Sequence, residues 1–133
     1  MNACFADTFF FLALLNANDR AYHEKARAAN RTDRPVVTTQ WILLELADHL
    51  CDQRNRHLYR HVLDALRRDR RSTIIPVDQA TLDQAIEMYL NRTDKDWSLT
   101  DCTSFVIMAR QVIEDALTGD HHFEQAGFNA LLT

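Results

Sequence analysis

Short apolar segments alternate along this chain with longer segments in which apolar residues recur at helical spacing. The short segments are about four to five residues long, apolar throughout and often β-branched, which is typical of buried strands. They occupy residues 3–6, 36–39, 72–77, 115–118 and 128–132. Strands that alternate with helices favour a mostly parallel sheet covered on both faces. We therefore predict an α/β fold with five strands.

Polar residues mark where several of the helices begin. Thr8 after Asp7 can start the first helix, Asp78 can cap a later one, and the segment from Ser98 to Asp101 has the spacing of a capping box. The predicted helices span residues 8–15, 20–29, 40–51, 55–70, 79–90 and 98–110, with a brief helical turn after residue 120. The helix over 40–51 carries apolar residues on most of its faces, which predicts that it is deeply buried.

Length and composition indicate a single globular domain over residues 1–133. The chain is 47% hydrophobic and 26% charged, with only two Gly and two Pro. The apolar segment 9–15 is far shorter than the roughly 20 residues of a membrane-spanning helix, and no basic residue precedes it as in a secretory signal. We expect a cytoplasmic protein that does not bind membranes. Cys4, Cys51 and Cys102 show no metal-binding spacing, so we expect reduced, buried thiols.

Basic residues are concentrated in one predicted helix. The chain has a formal net charge of −4, yet seven of its 15 Lys and Arg residues lie between Arg54 and Arg71, where the only carboxylates are Asp64 and Asp69. A solvated amphipathic helix explains this pattern, and so does a surface that holds a phosphate backbone. Charge alone leaves both interpretations open.

Two acidic residues directly follow predicted strands. Asp7 and Asp120 would project from the same edge of a parallel sheet, where functional residues gather. Taken singly, Asp7 is explained as a helix cap and Asp120 as a turn residue. Glu45 lies within an apolar helical segment, so its carboxylate needs a partner, either an Arg or a divalent cation.

Asp101 is explained as the acidic member of the capping box, so only its position in the fold can decide whether it has a further role. Several carboxylates that converge without a neutralising Arg or Lys would repel one another. Mg²⁺ or Mn²⁺ is the usual resolution, because these hard ions prefer oxygen ligands. Such a site hydrolyses phosphodiesters.

Two motifs carry a resemblance to a known family. Residues 97–105 read WSLTDCTSF and residues 116–128 read ALTGDHHFEQAGF. With Asp7 after the first strand and Glu45 in a buried helix, the whole chain resembles PIN-domain proteins of the VapC toxin type. The resemblance implies a three-layer α/β/α sandwich around a parallel five-stranded sheet, and metal-dependent endoribonuclease activity. It also implies the metal-binding catalytic set, bound to Mg²⁺ or Mn²⁺, which consists of Asp7, Glu45, Asp101 and Asp120.

Further roles follow from that resemblance. Hydroxyl side chains beside the acids would orient a carboxylate or a bound water, and the candidates are Thr8, Ser98 and Thr100. A cationic surface must hold RNA near an acidic pocket, and its candidates are Arg56, Arg60, Arg67 and Arg71.

Asp96 is interpreted as a loop acid, His121 and His122 as structural or substrate-rim residues, and the Phe9 to Phe11 cluster as core. We expect a homodimer, an RNA substrate and a cognate antitoxin protein.

Two alternative functions make different demands on these residues. A catalytically silent PIN-like module that binds RNA or acts as a scaffold would be favoured by loss of an acid, and none is lost. A signalling domain that holds Mg²⁺ for phosphoryl transfer requires an acidic pair beside the first acid and a phosphorylatable Asp after the third strand. Asp78 offers only a helix cap there.

Overall fold

In the computed structural model, which describes residues 2–133, strands and helices alternate along the chain. The strands are β1 (Cys4–Ala6), β2 (Val36–Thr39), β3 (Ser72–Ile75), β4 (Asp115–Leu117) and β5 (Asn129–Ala130). The helices are α1 (Thr8–Leu15), α2 (His23–Asn30), α3 (Gln40–His49), α4 (Arg56–Arg68), α5 (Gln79–Asn91), α6 (Leu99–Gln111) and α7 (His121–Gln125). No helix within residues 2–133 is long and apolar enough to cross a membrane.

The strands form one sheet in the order β3-β2-β1-β4-β5, and every neighbouring pair is parallel. The chain winds outward from β1 to β2 and β3, then crosses back to place β4 on the other side of β1. The winding direction therefore reverses between β1 and β4, where crevices form at the carboxyl ends of parallel strands. Ala6 and Leu117, the last residues of these two strands, are register partners. The predicted parallel five-stranded sheet is confirmed.

Helices cover both faces of the sheet. Phe5 shares one face with its register partners Val37 and Ala116, and its ring packs 6.4 Å from that of Phe123, measured between centroids. Phe105 of α6 packs edge-on against Phe123 at 5.0 Å. The opposite face lies beneath a groove whose walls come from α1, α2 and α4. Burial on both faces explains why the strands are apolar throughout rather than alternating.

Helix α6 is the most deeply buried helix, with continuous burial from Cys102 to Met108. Its start is fixed by the predicted capping box: the Ser98 hydroxyl accepts a hydrogen bond from the Asp101 N–H, and the Asp101 carboxylate accepts one from the Ser98 N–H. It ends at Val112 in a left-handed conformation with φ 56°. The cap places Asp101 at the end of α6 that faces the carboxyl ends of the strands.

Some boundaries and burial predictions were wrong. Helix α3 ends at His49 rather than at Cys51, and it is not covered on all sides, because Leu44 is 60% exposed while Ile42 and Leu46 are buried. Cys51 is exposed, since it lies in the loop after α3, whereas Cys4 and Cys102 are buried free thiols as predicted. Burial raises the pKa of the Cys102 thiol to about 11, so this thiol is protonated and unreactive at neutral pH.

Candidate active site

Five carboxylates line one open cavity of about 340 Å³ at the carboxyl ends of β1 and β4. Four of them are the predicted set: Asp7, Glu45, Asp101 and Asp120. Thr8, Phe9, Leu12, His49, Asp96, Ser98 and His122 complete the lining, and the part of the chain that the structure describes places no Lys or Arg in it. The topology therefore brings together acids from four separate segments, with no fixed positive charge between them.

Asp7 is the most buried of the four, with 5% of its surface exposed. It occupies the position before α1, but its side chain makes no helix-capping hydrogen bond. Its Oδ2 instead accepts a hydrogen bond from the Thr118 hydroxyl at 2.8 Å. Burial raises the pKa of Asp7 to about 7; the charges of Asp101 and Glu45 add to the rise, while the hydrogen bond from Thr118 opposes it. Capping therefore does not account for an acid at this position.

Glu45 projects from the middle of α3 toward α1. Its Oε1 accepts a hydrogen bond from the hydroxyl of Thr8, the first residue of α1. Of the two partners expected for Glu45, no Arg is found: none of the ion pairs among residues 2–133 includes this carboxylate. The Glu45 carboxylate therefore lines the cavity without an Arg partner.

Asp101 caps helix α6 and also lines the cavity. Its Oδ2 accepts hydrogen bonds from the Ser98 N–H and from Nδ1 of His122, both at 3.1 Å. Burial raises the pKa of Asp101 and the nearby charge of Asp120 adds to the rise, whereas its hydrogen bonds with Ser98 and His122 lower it. Thr100, predicted beside this acid, is not among the cavity residues, and its carbonyl accepts a hydrogen bond from the Thr103 hydroxyl. Only Ser98 of the two hydroxyl residues near Asp101 lines the cavity.

Asp120 caps the short helix α7. Its Oδ1 accepts a hydrogen bond from the His122 N–H at 2.9 Å, and its own N–H donates to the Thr118 hydroxyl at 3.1 Å. The buried Thr118 therefore bridges Asp7 and Asp120, and sequence reasoning assigned it no role beyond ending a strand. A hydroxyl residue at the end of an otherwise apolar strand, directly before Gly119 and Asp120, is the signal that could have identified it.

Gly119 allows a close approach beside the acids. A Cβ at this position would lie 2.5 Å from Cζ of Phe9 and 2.9 Å from Cε1 of Tyr22. These two rings pack edge-on, with centroids 4.7 Å apart. Phe10 and Phe11 are core residues as predicted, whereas Phe9 is half-buried and lines the cavity. The residue between Thr118 and Asp120 must therefore be small.

Three further polar residues lie at the rim. His49, one turn after Glu45 on α3, is exposed and lines the cavity, and no sequence argument had selected it. Asp96 also lines the cavity from an exposed loop position. His122 contacts Asp101 as described, whereas the side chain of His121 is 72% exposed.

The four predicted RNA-binding arginines lie outside the cavity, on α4 and just before β3. Arg56, at the start of α4, donates from Nε to the Cys51 carbonyl at 3.0 Å. Arg71 directly precedes β3 and pairs with Asp33 at 2.9 Å and with Asp69 at 3.3 Å. It therefore lies at the amino ends of the strands, the edge opposite the acids. Arg60 and Arg67 lie between these two along α4.

A family model, the PIN domain, matches residues 4–129. This chain belongs to the PIN-domain family. Within that family it is 34% identical over 127 residues to the 23S rRNA-specific endonuclease VapC20 of Mycobacterium tuberculosis, in strain CDC 1551 / Oshkosh and in strain ATCC 25618 / H37Rv; the match covers 93% of this chain and 94% of each relative.

Two solved structures superpose on most of this chain. The crystal structure of M. tuberculosis VapC20, described as a sarcin-ricin loop cleaving toxin, superposes with a TM-score of 0.83 at 28% identity and covers 94% of this chain and 95% of that one. FitAcB from Neisseria gonorrhoeae superposes with a TM-score of 0.64 at 16% identity, over 96% of this chain and 94% of that one, which shows the shared fold. The predicted family is confirmed, and the similarity to a VapC endonuclease supports an endoribonuclease over a catalytically silent module.

Proposed function

We propose that this PIN-domain protein is a metal-dependent endoribonuclease that hydrolyses RNA phosphodiester bonds and is the toxin of a type II toxin–antitoxin pair. The observation that carries the proposal is the convergence of Asp7, Glu45, Asp101 and Asp120 in one open cavity that no Lys or Arg of residues 2–133 lines. A structural acid cluster would be neutralised by such residues.

The donor set fits Mg²⁺ or Mn²⁺. Its four acids offer oxygen ligands only, and their mutual repulsion raises the affinity for a hard divalent cation. Burial together with nearby charge raises the pKa of Asp7 to about 7, so near neutral pH this carboxylate is poised to exchange a proton for a cation. When bound, such a cation supplies Lewis-acid activation of water and offsets negative charge on the scissile phosphate.

The surrounding residues hold the carboxylates in place. The Thr118 hydroxyl occupies one oxygen of Asp7, and the Thr8 hydroxyl occupies one oxygen of Glu45. Ser98 and His122 both bind Oδ2 of Asp101. In each case the other carboxylate oxygen makes no side-chain hydrogen bond within residues 2–133, so it can accept a cation. Holding a carboxylate oxygen is the role proposed for the Thr8 hydroxyl. At Ser98 the N–H binds the carboxylate and the hydroxyl accepts from the Asp101 N–H, and Thr100 does not line the cavity.

The RNA-holding surface is proposed on α4. Arg56 and Arg60 are exposed on this helix and carry no carboxylate partner among the ion pairs of residues 2–133. Arg67 lies a further two turns along, and Arg71 contributes less because Asp33 and Asp69 already neutralise its charge. Since the VapC20 relatives are named for 23S rRNA, we propose a hairpin of ribosomal RNA in the cytoplasm as the substrate.

Two protein partners are proposed. The VapC20 neighbour is described as a toxin, which supports a cognate antitoxin that blocks this cavity or the dimer. A homodimer is supported by large apolar side chains that remain exposed on α3 and α5, two helices that both pack against α6. These side chains are Leu44, Ile86, Tyr89 and Leu90.

The substrate proposal is tested by incubating the purified protein with ribosomes, with isolated 23S rRNA and with transfer RNA, each in Mg²⁺, Mn²⁺ or EDTA. Mapping of new RNA ends is expected to reveal one discrete cut in the 23S rRNA that disappears in EDTA. Cutting of transfer RNA instead would keep the nuclease and reject the substrate. Metal binding without any cleavage would support the silent RNA-binding module.

A further inference from the structure

Two neighbouring imidazoles converge on the carboxylate of Asp120. Nδ1 of His122 lies 3.5 Å and Nδ1 of His121 lies 3.7 Å from Oδ1 of Asp120. The two rings are 4.5 Å apart between centroids. Within residues 2–133, these side chains form the single group of three or more His, Cys, Asp or Glu whose ligand atoms all lie within 4.8 Å of one another.

These distances fit a tetrahedral metal ion. Ligand atoms placed about 2.1 Å from a tetrahedral Zn²⁺ are separated from one another by roughly 3.4 Å. The Nδ1 to Oδ1 distances of 3.5 and 3.7 Å are already close to that separation. Oδ2 of Asp101 lies 3.1 Å from Nδ1 of His122, so an ion bound by this nitrogen would replace that hydrogen bond, and water would complete the coordination. The side chain of His121 is 72% exposed, so it is free to turn toward an ion.

The donor chemistry separates this group from the oxygen-only set beside it. Imidazole nitrogen suits Zn²⁺, Ni²⁺, Cu²⁺ and Co²⁺, whereas Mg²⁺ prefers carboxylates and water. We propose that Asp120, His121 and His122 form a second metal site that binds Zn²⁺ or a similar transition-metal ion. Asp120 is also linked to Asp7, because its N–H donates to the Thr118 hydroxyl, which in turn donates to Oδ2 of Asp7.

Sharing of Asp120 couples the two sites. An ion held by the imidazoles engages Oδ1 of Asp120 and draws this carboxylate away from the set formed with Asp7 and Glu45. Zn²⁺ would therefore inhibit cleavage that depends on Mg²⁺, and its inhibition would weaken without the imidazoles. This consequence rests on the proposed nuclease function, whereas binding of Zn²⁺ itself does not.

Direct titration tests the site. Calorimetry with Zn²⁺ in excess Mg²⁺ is expected to show one ion per chain, and Co²⁺ is expected to give the visible absorption of a tetrahedral nitrogen- and oxygen-ligated ion. His121→Ala removes an exposed side chain and is expected to weaken Zn²⁺ binding at least about tenfold. His122→Gln is expected to do the same, since its amide is a poor transition-metal ligand.

The matched control is His61→Ala. His57 and His61 lie one turn apart on α4, a spacing that can itself bind Zn²⁺, so this variant tests the competing helical pair. Loss of His61 is expected to leave Zn²⁺ affinity unchanged. No Zn²⁺ binding to the wild-type protein, equal binding by His121→Ala, or loss of binding in His61→Ala would each overturn the proposal.

Asp7→Asn separates this proposal from the proposed nuclease. It is expected to abolish cleavage while it keeps the Zn²⁺ site and the Co²⁺ spectrum. If no RNA is cleaved by any variant, the titrations still decide whether the imidazole site exists. In active protein, the Zn²⁺ concentration for half inhibition is expected to rise at least about tenfold in His121→Ala; an unchanged value would reject the coupling through Asp120.

Discussion

At the scale of single residues, the four carboxylates of the cavity have no Lys or Arg beside them within residues 2–133. Asp7 is 5% exposed and has a hydroxyl as its side-chain partner instead of a cationic group. Burying a carboxylate without a cation penalises its charged form, which is why the pKa of Asp7 rises to about 7. The charged form of the Asp7 carboxylate therefore destabilises the fold when no metal ion is bound.

Asp7→Asn is expected to stabilise the metal-free protein, and more so as the pH rises. Folding raises the pKa of this carboxyl from 3.8 to about 7. Its burial therefore leaves the free energy of unfolding unchanged below pH 4, lowers it progressively between pH 4 and 7, and lowers it fully above pH 7. The penalty is on the order of 4 kcal/mol. Thermal unfolding in EDTA at pH 5 and pH 8 measures it.

Asp48→Asn is the matched control, because Asp48 is exposed on α3 and the substitution removes the same charge. It is expected to show no pH-dependent gain. A gain for Asp7→Asn that is equal at pH 5 and pH 8, or a loss at pH 8, would contradict the account of Asp7. Added Mg²⁺ is expected to stabilise the wild type and not Asp7→Asn.

Thr118→Val is expected to reduce cleavage and stability together. The valine has a similar shape but leaves Oδ2 of Asp7 and the N–H of Asp120 without their partner. Loss of buried hydrogen bonds costs roughly 1–3 kcal/mol, measured by urea unfolding. Thr118→Ser keeps the hydroxyl and is expected to restore most of the cleavage rate. If the Ser variant is as impaired as the Val variant, the methyl group and not the hydroxyl is what matters.

The sequence could predict the acids and not their partners. Asp7 and Asp120 stand out because each ends an apolar strand, a purely local pattern. Thr118 donates to Asp7, which lies 111 positions away in the chain, and a hydroxyl at a strand end looks the same whether or not an acid lies opposite. His49 lacks a local signal too, since its place at the cavity depends on how α3 lies against α1.

At the scale of elements, the junction between β4 and α7 sets the shape of the cavity wall. Gly119 is where the rings of Phe9 and Tyr22 approach the backbone too closely for any side chain. The residue lies between Thr118 and Asp120, so a shift there moves both of them. A Cβ at this position would require the two rings to shift.

Gly119→Ala is expected to lower the cleavage rate by displacing Asp120, with a stability loss of about 1–3 kcal/mol from overpacking. Gly127→Ala is a control of a different kind: it has φ 96° and open space around it, so it strains the backbone without any clash. Its effect is expected on stability alone. Comparison of urea midpoints with cleavage rates separates the two, and a Gly119→Ala enzyme with wild-type activity would contradict the packing argument.

Elements fixed by local signals were predicted well. The capping box of Ser98 and Asp101 and the cap by Asp78 both appear in the structure, because these side chains bond to backbone three residues away. The burial of α3 was overestimated, since Leu44 points away from the sheet and remains 60% exposed. Apolar residues in a helix do not reveal whether a neighbouring element or a second chain covers them.

At the scale of the whole molecule, the crossover that places β4 beside β1 creates the cavity. Asp7 and Asp120 are 113 positions apart in the chain and meet only because the strand order is β3-β2-β1-β4-β5. Alternation of strands and helices predicts a parallel sheet, but strand order depends on non-local pairing that no segment encodes alone. The family resemblance, and not the local pattern, predicted which acids converge.

A homodimer is the expected state in solution. Light scattering at micromolar concentration should give twice the chain mass of 15.5 kDa. Leu90→Asp places a charge on the exposed apolar surface of α5, where Leu90 is 64% exposed, and is expected to shift the protein to monomer. Val112→Asn changes another exposed apolar residue, in a left-handed conformation that Asn tolerates, and should leave the dimer intact. A wild-type mass of one chain would contradict the proposal.

The proposed activity is hydrolysis of RNA by the four converging acids with a divalent cation. Its most direct test is the rate of RNA cleavage in Mg²⁺ or Mn²⁺ by the wild type and by Asp7→Asn, Glu45→Gln, Asp101→Asn and Asp120→Asn, with Asp48→Asn as control. Each of the four is expected to lose about a hundredfold or more, because several kcal/mol of charge stabilisation depend on the cation. Asp48→Asn should retain the wild-type rate. Full activity in any of the four acid variants would remove that residue from the site, and full activity of the wild type in EDTA would contradict the account.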